Sequence, residues 1–113
     1  MGCFYYPKMK GKNKPMKKVF ISQPMAGKKN KEIISERENA LIALKKLFNE
    51  PLEEVESYFS NSENAQPLEC LGKAIQLMAK TDIAVFCQGW ENARGCKIEH
   101  ECAKQYGIAI IEL

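Results

Sequence analysis

Glu99 is the carboxylate whose setting points most directly to chemistry. The spacing predicts a helix over about residues 93–106, and Glu99 falls in its second turn, beside the loop 88–95. Its helical neighbours are Gly95, Cys96, Cys102 and Ala103. All four are small, which puts the carboxylate near the edge of the apolar face. The positive end of that helix is expected to keep it ionised. An ionised, partly desolvated carboxylate at a strand–loop–helix junction suits a nucleophile. The plain alternative is a solvated glutamate on a charged helix.

Two loops carry groups suited to holding a small molecule. Ser22, Gln23, Pro24, Met25, Ala26 and Gly27 follow the apolar run Val19-Phe20-Ile21. Gln23 and the backbone N–H groups there can hold a ring or a phosphate. Neither the dinucleotide-binding glycine fingerprint nor the P-loop pattern is present. Taken alone, the loop also fits a simple strand-ending turn. The second loop holds Gly89 and Trp90 with Asn92, Arg94 and Gly95. Trp90 offers a stacking face, and Arg94 offers a fork for a carboxylate or phosphate. The competing reading is a core tryptophan beside a solvated arginine.

Other reactive residue types lead nowhere. His100 is the one histidine, four residues after Cys96. Two ligands are too few for a tetrahedral metal site, so neither a metal nor any other cofactor is expected. No Ser-His-Asp relay is in view. The pair Arg37-Glu38 and the cluster of Glu53, Glu54 and Glu56 read as solvated charges, although Arg37 lies on or beside an apolar stripe.

The elements that must position these residues follow from periodicity. Val19-Phe20-Ile21 reads as a buried first strand. From about residue 30 to 49, Ile33, Ile34, Arg37, Ala40, Leu41, Leu44, Leu47 and Phe48 recur at helical steps, and Pro51 follows the helix end. Residues 55–59 are expected to form a second strand, and 60–66 a polar loop. Pro67 suits the first turn of a helix whose buried face would be Leu68, Leu71, Ile75, Met78 and Ala79. The continuous apolar run 83–87 fits a central parallel strand covered on both faces. Asn92 is the expected N-cap of the last helix, with Ile98, Cys102 and Tyr106 as its inner stripe and Gly107 closing it. Residues 108–111 form the last strand. Strands alternating with helices imply a parallel sheet with right-handed crossovers. Ligands of such sheets bind beyond the carboxyl ends of the strands, which selects the loops 22–29, 60–66 and 88–95.

Composition bounds the rest. The chain has 113 residues, 45% of them hydrophobic, enough for one domain with one core. No apolar stretch approaches the ~20 residues that span a bilayer, and no apolar h-region follows a basic start. The expected location is the cytoplasm, with no membrane partner. Five cysteines, an odd number without a CxxC pair, argue against an extracellular disulfide framework. The net charge of +3 is unevenly spread. Residues 1–18 hold six lysines and no acid. They read as a basic flexible leader, with Met16 as a candidate second start, in front of a mildly acidic domain at 19–113. Nucleic acid is not the expected partner, because the excess of positive charge sits in the leader and the domain behind it is mildly acidic.

The run 19–27, then Glu32-Ile33 and Glu36-Arg37, then Pro67-Leu68 with Leu71-Gly72-Lys73, form an ordered series of motifs. The stretch 89–96 continues it, followed by Ile98-Glu99-His100 and Tyr106-Gly107. Together they resemble a small bacterial and phage domain of unknown function (DUF4406-type) that is similar to nucleoside 2-deoxyribosyltransferases. The resemblance covers about residues 17–113. It implies a flavodoxin-like three-layer α/β sandwich with a parallel sheet of four or five strands. It implies that Glu99, four residues after Gly95, is a nucleophile. It also implies that the loop from Ser22 through Pro24 and Met25 to Gly27 contacts a nucleoside. Asp82 resembles an acidic residue on the base-binding side. One departure is Ala93, where the transferases carry an aspartate; the adjacent Arg94 favours a phosphate or another anion. The transferases complete each site with a neighbouring subunit's C-terminal end. A homo-oligomer is therefore expected, and Glu112 is the residue at hand for that contribution.

The implied activity is cleavage or exchange of the N-glycosidic bond of a (deoxy)nucleoside or nucleotide through Glu99. Asp82, Gln23 and Glu91 are candidates for assisting the leaving base. The alternative is a non-catalytic binder of a nucleotide or nucleotide-derived signal, with a counter-defence or regulatory role, built on Trp90, Arg94 and the first loop.

Overall fold

The computed structural model of the protein describes residues 16–55 and 66–113. The element order is β1 (Lys17–Ser22), α1 (Asn30–Phe48), β2 (Leu52–Glu54), α2 (Pro67–Met78), β3 (Ile83–Phe86), α3 (Arg94–Gln105) and β4 (Ala109–Glu112). A single 3₁₀ turn, Trp90–Asn92, precedes α3. Among the described residues the sheet has four strands, all parallel, in the order β2-β1-β3-β4. This is a flavodoxin-like α/β sandwich.

The layers follow from the period-two alternation of strand side chains. Val19 and Ile21 of β1, Ile83 and Val85 of β3, and Leu52 of β2 pack under Ala40 and Leu44 of α1. Phe20, Ala84 and Phe86 point the other way, against Ala74 and Met78 of α2 and Ala103 of α3. One helix therefore covers one face and two cover the other. The central strands β1 and β3 are apolar on both sides, as the unbroken runs 19–21 and 83–86 require.

Local signals set several element ends. Glu32 accepts the Lys29 N–H at 2.8 Å, and Glu69 accepts the Gln66 N–H at 2.9 Å. These bonds satisfy donors that the first turns of α1 and α2 leave open. Pro67 is the first residue of α2. Asn49 closes α1 in the left-handed region at φ 52°, with Pro51 just beyond. Gly107, at φ 74°, turns the chain after α3 into β4.

Several expectations are corrected. Lys17 and Lys18, assigned above to the leader, are the first residues of β1; residues 1–15 lie outside the described part. A strand forms at Leu52–Glu54, ahead of the expected 55–59, because Leu52 is the apolar residue that reaches the α1-side core when paired beside Lys17; Val55 lies just past its end. Residues 56–59, and all of the loop 60–66 except Gln66, lie outside the described part. In α2 the buried residues are Ala74 and Met78, whereas Leu68 is 76% exposed and Ala79 is also exposed. In α3 the inner stripe is Cys96, Glu99 and Ala103, whereas Ile98 is exposed and Tyr106 is 82% exposed. Ala74 in α2 and Cys96 and Ala103 in α3 are small residues on these buried faces. Asn92 belongs to the 3₁₀ turn, and the N-cap of α3 is Ala93. Among the described residues no helix is long and apolar enough to cross a membrane.

This packing separates α-helical leucines by consequence. Leu44→Ala, at a fully buried position, is expected to lower unfolding free energy by about 2–5 kcal/mol. Leu68→Ala should change it by no more than about 0.5 kcal/mol. Urea titration of both variants checks the assignment.

Candidate functional site

The carboxyl end of β1, the first half of α2 and the start of α3 enclose a cleft of about 590 Å³, within the usual range for a small-molecule site. Its walls come from three elements. Ser22 through Ala26 form one side, Pro67, Leu71 and Ala74 of α2 a second, and Arg94, Gly95 and Cys96 at the start of α3 a third. Glu99 lies in the lining one turn further along α3.

Ser22, Gln23, Arg37 and Glu99 are the buried polar side chains among the described residues, and all four meet at the end of β1. The Ser22 hydroxyl donates to Glu99 Oε1 at 2.5 Å. On the other face of the sheet, Arg37 Nη1 donates to Gln23 Oε1 at 2.7 Å, and Nη2 donates to the Ile21 carbonyl at 3.3 Å. Arg37 Nε pairs with Glu54 Oε2 at 3.0 Å. Gln23 Nε2 donates to the Ile33 carbonyl at 3.2 Å and to Glu36 Oε1 at 3.0 Å. Lys28 Nζ closes the network on both Glu36 oxygens at 2.9 and 3.0 Å. Among the described residues no buried side-chain nitrogen or oxygen lacks a partner, which is what burial of polar groups demands.

Burial dominates the electrostatics. It raises Glu99 above the ordinary carboxylate range, while the Ser22 hydrogen bond and the Arg37 charge pull it back down. The expectation that the helix end keeps this carboxylate ionised is thus reversed in its leading effect, because Glu99 sits beyond the first turn of α3, where the dipole has faded. Burial also raises the Cys96 thiol and pushes Cys87 up to about 11. Both are thiols at neutral pH, and neither is an activated sulfur nucleophile.

The predicted site residues divide into two groups. Ser22, Gln23, Pro24, Met25, Arg94, Gly95 and Glu99 line the cleft. Gly27, Gly89, Trp90 and Asn92 do not. Gly27 and Gly89 take positive φ values of 78° and 91° and shape the two loops. Trp90 stacks on His100, with ring centroids 3.9 Å apart and planes within 6°, and it packs against Phe86. His100 also meets Glu112 Oε2 at 2.8 Å. The His100–Cys96 pair gains no further ligand, and among the described residues no cluster fit for a metal is found.

Asp82 is at the opposite end of the sheet. It precedes β3 at that strand's amino end, and its carboxylate accepts the Lys18 N–H at 2.8 Å. Its work is to tie β3 to the start of β1.

Sequence reading missed Arg37, Glu54 and Glu36, which it took for solvated or unremarkable charges. Arg37 is only 5% exposed. Its place among Ile33, Ala40 and Leu44 on the apolar stripe was the available signal.

A family model described as a domain of unknown function (DUF4406) matches residues 17–112, and the chain belongs to that family. No curated protein matches the chain.

A raised carboxyl has a thermodynamic signature. Its contribution to stability is full below the unfolded-state value, about 4.3, and is lost as pH rises through the higher folded-state value. Glu99→Gln is therefore expected to raise Tm at pH 7, by on the order of a few °C, and to lose this advantage near pH 4. Thermal unfolding at the two pH values measures it.

Proposed function

We propose that this protein breaks or exchanges the N-glycosidic bond of a (deoxy)nucleoside or nucleotide, with Glu99 as the nucleophile. The observation that carries the reading is the Ser22–Glu99 hydrogen bond of 2.5 Å inside a cleft at the carboxyl end of β1. The resemblance of the spaced motifs around Ser22, Gly95 and Glu99 to nucleoside 2-deoxyribosyltransferases supports it.

In this reading a Glu99 oxygen attacks the anomeric carbon as the carbon–nitrogen bond to the base breaks. The sugar becomes esterified to Glu99, and the base leaves as its neutral N–H form with a proton taken from solvent. A second base, or water, then attacks the same carbon and releases Glu99, with net retention. The transition state is oxocarbenium-like, so a nearby carboxylate stabilises it before the bond forms. The Ser22 hydroxyl holds one oxygen in place. The apolar wall of Pro24, Met25, Pro67 and Leu71 suits a flat base, and Arg94 suits an anionic substituent. Asp82 takes no part, because it lies at the far end of the sheet. Gln23 is committed to the Arg37 network, and Glu91 does not line the cleft. A homo-oligomer belongs to the same proposal, supported by the half-exposed edge strand β4 and the exposed Tyr106.

The experiment is mass spectrometry of nucleosides and nucleotides incubated with wild type and with Glu99→Ala. Free base is expected with wild type, and the variant should be at least about a thousandfold slower. A nucleotide depleted from solution and recovered whole after denaturation would instead establish a non-catalytic binder.

Turnover needs the carboxylate form, so activity should fall as pH drops through the raised Glu99 value. Ser22→Ala removes a bond that favours the charged form. Its acid limb should move to higher pH than that of wild type in a kcat/KM profile.

A further inference from the structure

Arg37 and Glu99 belong to opposite faces of the sheet. Ile21 packs with the α1-side core and Phe20 with the α2–α3 side. Continuing the alternation, Gln23 bonds to groups of α1, while Ser22 reaches across to Glu99 of α3. Arg37 contacts the residues on either side of Ser22 and leaves Ser22 itself to the other face.

We propose that Arg37 is the positioning residue of the Ser22–Glu99 pair, gripping the chain on both sides of Ser22 and so fixing where its hydroxyl meets the carboxylate. The grip is the Nη2 bond to the Ile21 carbonyl and the Nη1 bond to the Gln23 amide oxygen. The far end of Gln23 is tied to Ile33 and Glu36 of α1, so the amide cannot turn away. The guanidinium is itself held by Glu54. From the remaining side, the Cys87 N–H holds the Ser22 carbonyl at 2.9 Å. Three acceptors in three directions need the planar fork of arginine, which an ammonium group cannot reproduce. Arg37 does not line the cleft, so it acts through Ser22 and not on a ligand. The role deepens the reading of Glu99 as the reacting group, and rests on it.

The test is a cycle of wild type, Arg37→Lys, Ser22→Ala and the double variant. Glu99 is titrated by carbon-13 NMR of its carboxyl carbon in substrate-free protein. The groups acting on Glu99 are the Ser22 hydroxyl from β1 and the Arg37 charge from α1. Cys96 on its own helix is a neighbour, and Arg94 shares the cleft. Lysine keeps the charge and loses the fork. Arg37→Lys is expected to move the Glu99 titration upward when Ser22 is present, and to leave it nearly unmoved in the Ser22→Ala background, where there is no hydroxyl to position. An equal shift in both backgrounds, or no shift in either, overturns the proposal. If Arg37→Lys does not fold, Gln23→Met removes one of the two grips and leaves the charge. It enters the same cycle with the same expected and overturning outcomes.

The titration needs no turnover, so it is decided separately from the glycosidic reading, which fails if wild type releases no base. Where wild type does turn over, Arg37→Lys should lower kcat on the order of 10- to 100-fold with KM nearly unchanged. A change confined to KM overturns the positioning role.

Discussion

The alternation of side chains at the carboxyl end of β1 is the constraint on which the site depends. Consecutive residues of a strand face opposite sides. Here that rule sends Ile21 and Gln23 into the α1 side and Ser22 into the α3 side. One strand end therefore serves two networks at once, a charged one around Arg37 and a carboxyl pair at Glu99. A one-residue slip of β1 against β3 would exchange the two faces and destroy both. The register that prevents this is set by Phe20 and Ile21 in the two cores, and by the Asp82 carboxylate holding the Lys18 N–H at the strand's other end.

Burying these groups has a cost that the hydrogen bonds offset only in part. A buried guanidinium and a buried carboxyl each lose hydration, worth several kcal/mol per ion in general. Arg37 is satisfied by a carboxylate, an amide and a carbonyl. Glu99 has one strong donor and a cation on the far side of the sheet, and burial still raises its pKa. A carboxyl held in this way lowers stability at neutral pH, and perturbed groups of this kind cluster at functional sites. The residues that would have offered a simpler core are absent at these positions. The buried neighbours of Glu99 on α3, Cys96 and Ala103, are both small.

The aromatic group beyond β3 illustrates how a plausible binding surface becomes structural. Trp90 lies just past the strand end, but its ring covers His100, which in turn meets Phe86 and Glu112. Offset or stacked rings of this kind add packing energy beyond their buried area. They hold the middle of α3 against β3 and β4, and so fix the helix that carries Glu99.

Local rules in the sequence by itself suffice for the α/β class, the parallel sheet and, among the described residues, the alternation of four strands with three helices. The sequence also selected the loops after the first three strands, 22–29, 60–66 and 88–95, as the place for a candidate site. Those features rest on apolar runs, helical spacing, Pro51, Pro67 and Gly107. Glu99 was legible because it stood at the junction of a loop and a helix among small residues. Tertiary structure alone decided which way α2 and α3 rotate. Their sheet-facing positions are Ala74, Cys96 and Ala103, and such small side chains give too weak an apolar signal to outweigh Leu68, Ile98 or Tyr106. It alone turned Arg37 from a solvated charge into a buried clamp, because the groups it bonds stand at the end of β1 and on β2, on either side of α1 in the sequence. It also removed Asp82 from the cleft, since a residue before a strand and a residue after one lie at opposite ends of the same sheet. Pairing across sequence distance brings such groups together, and no local pattern carries that information.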